Sequence, residues 1–183
     1  GRCAGEQAVR RLNPRKVETA QVPVVYDPRI SQSLPGHFAA AINGAAVARG
    51  TTFLVEKMGQ RVTSEGLSII DDPLRPRGLR SKGFDAEGVA TQRRKLVDDG
   101  VLKGWVLDLR SARQLGLKTT GNAARGTSSA PSPSVTNLHI EPGDISPETL
   151  IGSVKQGLYV TEVMGQGINI VTGDYSRGAS GFW

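Results

Sequence analysis

His37 is the residue whose type and setting come nearest to a recognisable chemistry. It lies in the run Asp27-Pro28-Arg29-Ile30-Ser31-Gln32-Ser33-Leu34-Pro35-Gly36-His37-Phe38. A zinc peptidase built on a helix needs two His ligands on one face, with a Glu beside the first to polarise the attacking water. Here a single His is present, and Gln32 and Ser33 stand five and four residues before it, where a His-Glu pair would be needed. His139 is far along the chain, on a predicted strand, and the one Cys, Cys3, is near neither His. Zinc sites use three or four protein ligands. His37 is therefore expected to be a packed position, and no residue is assigned as catalytic or metal-binding.

Other polar groupings are weaker. Asp71-Asp72 and Asp98-Asp99 read as turn residues, in which Asp bonds its own backbone, and not as a general acid–base pair, which would need carboxylates converging in a cleft. Gly165-Gln166-Gly167 lacks the Gly-Lys-Ser/Thr ending of a phosphate loop and joins apparent strands. Gly173-Asp174-Tyr175-Ser176-Arg177-Gly178 is dense in polar side chains. Arg177 could grip a carboxylate bidentately, or Asp174 could cap a tight turn and pair with Arg177. Arg75, Arg77, Arg80 and Lys82, followed by Arg93, Arg94 and Lys95, form a basic stretch without the interleaved aromatics that stack on bases.

The elements that must position these groups follow from pattern. Val22–Tyr26 reads as a strand, with Pro23 marking its edge or start. Asp27 is an N-cap with Pro28 at the first helical position. Ile30, Leu34, Phe38, Ala41, Ile42 and Ala45 continue at helical spacing until Gly50. Pro35 should kink or split this helix. Its small residues, Ala39 to Ala41 and Gly44 to Ala46, suit close approach of another backbone, so the helix is expected to be buried against a sheet. Gly5–Leu12 is a short amphipathic helix. Strands are expected at Leu67–Ile70, at Arg93–Val97 and Val101–Leu109 joined by Asp98-Asp99-Gly100, at Val135–Ile140, and in a hairpin-like pair, Leu158–Met164 with Ile168–Thr172. Within Val101–Leu109, Trp105, Leu107 and Leu109 should share one face. Short helices are read at Ser111–Leu115 and from Ser146 to Gly157, the latter with an apolar stripe of Leu150, Ile151 and Val154. Asp71–Lys82 and Thr119–Ser134 read as loops. The fold class is α+β: a β-rich domain of antiparallel hairpins around a buried central helix.

The chain has 183 residues, 38% hydrophobic and 22% charged, with 23 Gly, enough for one domain with a substantial core. The net charge of +6 permits nucleic-acid or acidic partners without requiring them. One Cys excludes an internal disulfide, fits a reducing cytosol and rules out a four-Cys zinc site. No apolar run approaches membrane-spanning length. The start without Met and the apolar end at Phe182-Trp183 suggest a piece of a longer protein.

Several stretches together resemble the TldD/PmbA family. They include Asp27-Pro28-Arg29, His37-Phe38 with Ala41-Ile42-Asn43-Gly44, Ala48-Arg49-Gly50-Thr51, and Ile70-Asp71-Asp72-Pro73. Asp98-Asp99-Gly100-Val101-Leu102, Ser111-Ala112-Arg113 and Val171-Thr172-Gly173-Asp174-Tyr175-Ser176-Arg177-Gly178-Ala179 follow in order. Within the family the chain looks like the PmbA (TldE) branch, also named for modulation of DNA gyrase.

That resemblance implies a two-protein cytoplasmic protease acting on unfolded or extended peptides. A TldD-type partner would carry zinc on a His-Glu-x-x-x-His motif. Aligned on Gly36-His37, Gln32 and Ser33 replace the first His and the Glu, and His37 matches only the second His. This chain would then be a non-catalytic subunit without a cofactor of its own, most of a C-terminal domain (residues 1–183) that lacks a preceding α/β domain and a short last segment. It would pair with a TldD-type subunit or with itself and help enclose the peptide. Asp174, Ser176 and Arg177 become candidates for shaping a peptide groove or interface. A DNA- or gyrase-associated regulator is the alternative, and an independent hydrolase with an unrecognised metal site a third.

Overall fold

A computed structural model describes residues 1–183. In chain order the elements are α1 (Arg2–Val9), β1 (Val24–Tyr26), α2 (Pro28–Ser31), α3 (Ser33–Ala41), α4 (Gly44–Ala48), β2 (Ile69–Asp71), β3 (Arg94–Asp98), β4 (Val101–Leu102) and α5 (Leu109–Gln114). They continue with β5 (Ala123–Ala124), β6 (Ser132–Pro133), β7 (Leu138–Ile140), α6 (Pro147–Ser153), β8 (Leu158–Met164), β9 (Ile168–Asn169), β10 (Asp174–Tyr175) and β11 (Gly178–Phe182). The result is the expected mixed α+β domain with largely antiparallel pairing. No helix is long and apolar enough to cross a membrane.

Two main sheets frame the molecule. One runs β4-β3-β2-β7 and is antiparallel throughout; the other runs β1-β8-β11. β1 pairs with β8 in parallel, the one departure from antiparallel order among the paired strands, and it is an edge as Pro23 suggested. The Asp-Gly turn joins β3 to β4 as expected. Asp99 (φ 47°) and Gly100 (φ 79°) both take the left-handed conformation that this turn requires.

The predicted central helix is buried but broken twice. The first break, at Gln32, lies where Pro35 dictates: a proline cannot donate to the carbonyl four residues earlier, and its ring crowds that carbonyl. Side chains at the break bond to carbonyls of the short first piece. Ser31 Oγ donates to Pro28 O (3.2 Å), Gln32 Nε2 to Arg29 O (3.1 Å) and Ser33 Oγ to Ile30 O (2.7 Å). The second break, at Ile42-Asn43, was not expected. Asn43 is extended, caps α4 by accepting from Ala45 N (3.0 Å) and donates to Pro133 O (2.9 Å). Its flanking backbone makes a short parallel bridge, Gly44 N to Val106 O (2.8 Å) and Val106 N to Ile42 O (3.1 Å). Hydrogen bonding across the core here outweighs continuous helix.

Ala41, Ile42 and Val47 from these helices meet Leu96, Val97 and Leu102 of the four-stranded sheet in one apolar core. Three strand and helix expectations need correction. The second hairpin strand stops at Leu102, and Trp105, Val106 and Leu107 are all buried. Alternation fails because that segment is wrapped by helices on one side and the sheet on the other. β8 does not pair with β9. It lies between β1 and β11, while β9 pairs with β10. α6 ends at Ser153, before Gly157, and leaves Leu150 and Ile151 exposed, so its apolar stripe covers no core.

The Thr119–Ser134 segment, expected to be all loop, carries the small antiparallel pair β5–β6, because its two ends are fastened to the body by buried carboxylates and so brought side by side. Asp71 is not a turn residue. It accepts from Thr136 N and Thr136 Oγ1 (2.7 Å each) and from Asn122 Nδ2 (2.8 Å). Asp72 does cap its turn, accepting from Leu74 N (3.0 Å). Asp85 accepts from Ala123 N (2.9 Å) and from Glu87 N and Val89 N (2.9 Å each).

Candidate functional site

His37 sits midway along α3, half-buried, beside the turn that carries Asp174 and Tyr175. Its Nε2 is shut off from solvent and has no hydrogen-bond partner. The Tyr175 ring lies over it, centroids 6.2 Å apart and planes tilted by 56°. Next to them is a cavity of about 170 Å³ lined by His37, Phe38, Phe53, Ile168, Ile170 and Asp174, among others. The cavity is fixed by local backbone. Phe53 N donates to Ile170 O (2.9 Å), and Gly173, at φ 83°, lies so close to the Phe53 ring that a Cβ would come within 3.0 Å of it.

Of the residues singled out from sequence, Asp174 and Arg177 reach this place and Ser176 does not. Asp174 lines the cavity and accepts from Thr172 Oγ1 (2.6 Å). The Asp174–Arg177 pair considered above does not form; Arg177 Nε donates instead to Met164 O (3.1 Å), and its charge acts on His37 and Tyr26. Ser176 N donates to Gly167 O (2.7 Å) at the exposed side of the turn. Tyr26, Phe53 and Tyr175 were missed. They lie on three separate segments, and only the pairing of β9 with β10 and of β8 with its two neighbours brings Phe53 and Tyr175 to His37 and Tyr26 to Tyr175.

Burial disfavours charge on both ring groups here, and a neighbouring cation adds to this at His37. Burial, then the Arg177 charge, hold His37 below its ordinary value of 6.5. Tyr26 is pushed up to about 12 by burial first and by the adjoining Tyr175 hydroxyl second. An NMR titration should place the His37 midpoint below 6.5, and Arg177→Ala should raise it without restoring it fully, since burial is the larger cause. A midpoint at or above 6.5 in the parent chain would contradict this geometry.

Asp27, just ahead of the broken helix, anchors it to the second sheet. Its carboxylate accepts from Arg29 N (2.9 Å), from Arg29 Nε (2.8 Å) and from Tyr159 Oη (3.1 Å). The Arg29 bonds, above all, hold its carboxyl well below the ordinary 3.8. The lowered folded value means a stabilisation fully present above 3.8 and lost as pH falls through the folded value. Thermal melts should show Asp27→Asn flattening the loss of Tm on acidification below about pH 4. An unchanged acid limb would show that the carboxylate contributes nothing there.

A zinc ion does not fit these residues. Gln32 and Ser33 are both committed to backbone carbonyls of the preceding turn. His37 Nε2 is closed in, and a ring nitrogen of His139 is 3.1 Å from Asn137 O. No three His, Cys, Asp or Glu side chains converge on one point.

A mixed α+β domain with a proline-split helix beside a tyrosine-bearing turn is thus the class of structure in hand. Residues 19–183 match the PmbA/TldA metallopeptidase C-terminal domain. The chain is 41% identical over 181 residues to the metalloprotease PmbA of Escherichia coli O157:H7, covering 99% of this chain and 38% of that protein. It is 37% identical over 120 residues to the metalloprotease TldD homolog of Haemophilus influenzae, covering 65% of this chain and 25% of that one. Among solved structures it superposes on a Bacteroides thetaiotaomicron protein named as a candidate modulator of DNA gyrase, with a TM-score of 0.86 and 32% identity, covering 99% of this chain and 39% of the other. TldE from Thermococcus kodakarensis superposes with a TM-score of 0.74 and 30% identity, over 88% of this chain and 38% of its own.

The chain belongs to the PmbA/TldA metallopeptidase family, as a C-terminal domain. It spans about two-fifths of the length of the PmbA relatives it matches.

Proposed function

We propose that this chain is most of the C-terminal domain of a non-catalytic PmbA/TldE-type subunit. It assembles in the cytoplasm with a TldD-type partner that carries the zinc, and it helps enclose an unfolded or extended peptide. One observation carries the reading: the peptidase position on α3 is chemically closed. Gln32 Nε2 and Ser33 Oγ donate to the Arg29 and Ile30 carbonyls of the preceding turn, and His37 Nε2 is buried without a partner, its ring beside that of Tyr175. Asp174 and Arg177, beside that closed position, are placed to shape a groove or a subunit contact, and Ser176 extends the same turn outward.

Metal analysis of the purified chain tests the reading. Zinc is expected well below one equivalent. Stoichiometric zinc that disappears on His37→Ala would overturn it. The double variant Gln32→His/Ser33→Glu should also fail to hold stoichiometric zinc. It supplies two groups to a split helix whose remaining His is covered, and no further ligand is nearby. Tight stoichiometric binding by that variant would show that the site is only two side chains from a working one.

A second reading, a DNA- or gyrase-associated regulator, draws on the names of two structural neighbours and on the exposed Arg75 and Arg77. It predicts DNA binding that weakens steeply with salt, and an absence of such binding removes it.

A further inference from the structure

The cavity beside His37 is small, walled mostly by rings and held open by main chain. Its walls come from three separate stretches. α3 supplies His37 and Phe38, the turn after α4 supplies Phe53, and the β9–β10 region supplies Ile168, Ile170 and Tyr175. Backbone bonds fix the separation of these stretches. Phe53 N donates to Ile170 O (2.9 Å), Gly173 N to Asn169 O (2.9 Å) and Ser176 N to Gly167 O (2.7 Å). The β9–β10 ribbon is closed so tightly that a Cβ at Gly167 would strike the Ser176 carbonyl. Phe53 and Tyr175, at 44% and 41% exposed, keep part of their rings in water beside the cavity. All six wall residues lie inside the stretch 19–183 that matches the family domain.

Size selects the ligand. Sites for whole small molecules and cofactors run to about 300–1,000 Å³. A cavity of about 150 Å³ with aliphatic and aromatic walls takes benzene. The volume here, about 170 Å³, is room for one six-membered ring and little more. Lining chemistry points the same way. Four of the six wall residues are rings, and a further ring packs favourably against such walls, offset or edge to face. His37 does not oppose this. Burial, then the Arg177 charge, hold it below 6.5, so its ring is uncharged at neutral pH.

We propose that this cavity receives one phenyl-sized aromatic side chain of an extended peptide and so gives this subunit a sequence preference. That the ring arrives on a peptide rests on the subunit reading above; that the cavity takes a single ring does not. Burial of the ring covers the exposed faces of Phe53 and Tyr175 and removes its own apolar surface from water, which is the source of the preference.

Peptide binding to the full-length protein, measured without a TldD-type protein and without turnover, tests it. The probes are short Gly/Ser peptides with a central Phe or a central Ala, followed by ligand-observed NMR. The Phe peptide should bind at least about tenfold more tightly than the Ala peptide. Ile170→Trp fills the cavity and should abolish that difference. Leu150→Trp adds the same side chain on the exposed face of α6, away from the cavity, and should leave it intact. Phe53→Ala, at a half-exposed position, opens one wall and should cut the preference severalfold, so the test does not depend on one variant folding. Equal binding of the two peptides, or a preference that survives both Ile170→Trp and Phe53→Ala, would overturn the proposal. So would a full-length protein in which another of its own segments fills the cavity and the Phe peptide does not bind. The outcome is separable from the subunit reading. Peptidase activity that needs both proteins, with no Phe preference, sinks the pocket alone; a Phe preference in a protein that cleaves peptides by itself sinks the subunit reading alone.

Discussion

Asp71→Ala is expected to lower the unfolding free energy by about 3–5 kcal/mol. Asp71 is 2% exposed and accepts three hydrogen bonds. Removing it leaves a backbone N–H, a hydroxyl and an amide donor buried without acceptors, and each such orphan costs about 1–3 kcal/mol. The donors come from Thr136 and Asn122, so the loss also frees the long loop from β2. For a chain of this size the fall in Tm should be about 6–20 °C. Asp71→Asn should cost less, because one oxygen still accepts while its NH2 faces the Thr136 donors. Urea unfolding of the three proteins is the check. A loss below about 1 kcal/mol for Asp71→Ala would mean that water replaces the carboxylate and that the loop is not fastened there.

Gly44→Ala should also destabilise, by about 1–3 kcal/mol. A Cβ at Gly44 would come within 2.5 Å of Leu107 Cδ2, 2.7 Å of Ser111 Oγ and 2.8 Å of Val106 O. Leu107 can rotate, but the Val106 carbonyl is held by the Gly44 N–H itself at 2.8 Å. α4 must therefore move off α5, and the bridge at Asn43 breaks with it. Alanine's better helix propensity, about 1 kcal/mol, opposes this and is outweighed. Gly36→Ala is the control. Nothing lies within 4 Å of a Cβ there, so the same substitution inside α3 should be stabilising by about 0.5–1 kcal/mol. Equal effects at the two glycines would show that close helix packing at Gly44 is not what the small residue serves.

Local chemistry was legible in the sequence wherever one residue type decides the backbone. Asp27-Pro28 starts a helix, Ser146-Pro147 starts another, Pro35 splits the first, and Asp99-Gly100 turns a hairpin; all four stand as read. Long-range pairing was not legible. The hairpin expected for β8 with the segment after it looked right locally. It lost because β8 finds β1, more than a hundred residues earlier, on one side and β11 on the other. Asn43 shows the same limit. Its type suits a cap, but only contact with Val106 explains why the helix opens there.

The site was half legible. Spacing alone showed that His37 lacks its companions, and the terminal polar turn singled out for Asp174 and Arg177 does lie beside His37. That Tyr175 packs beside His37, and that Tyr26 bonds to Tyr175, depends on strands meeting from distant parts of the chain. Asp71 was misread for a related reason. An Asp-Asp-Pro run has the composition of a turn, and nothing local reveals that its first carboxylate is buried among donors from residues 122 and 136.

The proposed subunit role, without catalytic metal chemistry in this chain, has a direct biochemical consequence. Peptidase assays on an extended peptide, using the full-length protein alone, a TldD-type protein alone and the two co-purified, test it most directly. Cleavage is expected only with both present, and at unchanged rate when this chain carries His37→Ala. Cleavage by this protein alone, or loss of the joint activity with His37→Ala while the complex still assembles, would contradict the account.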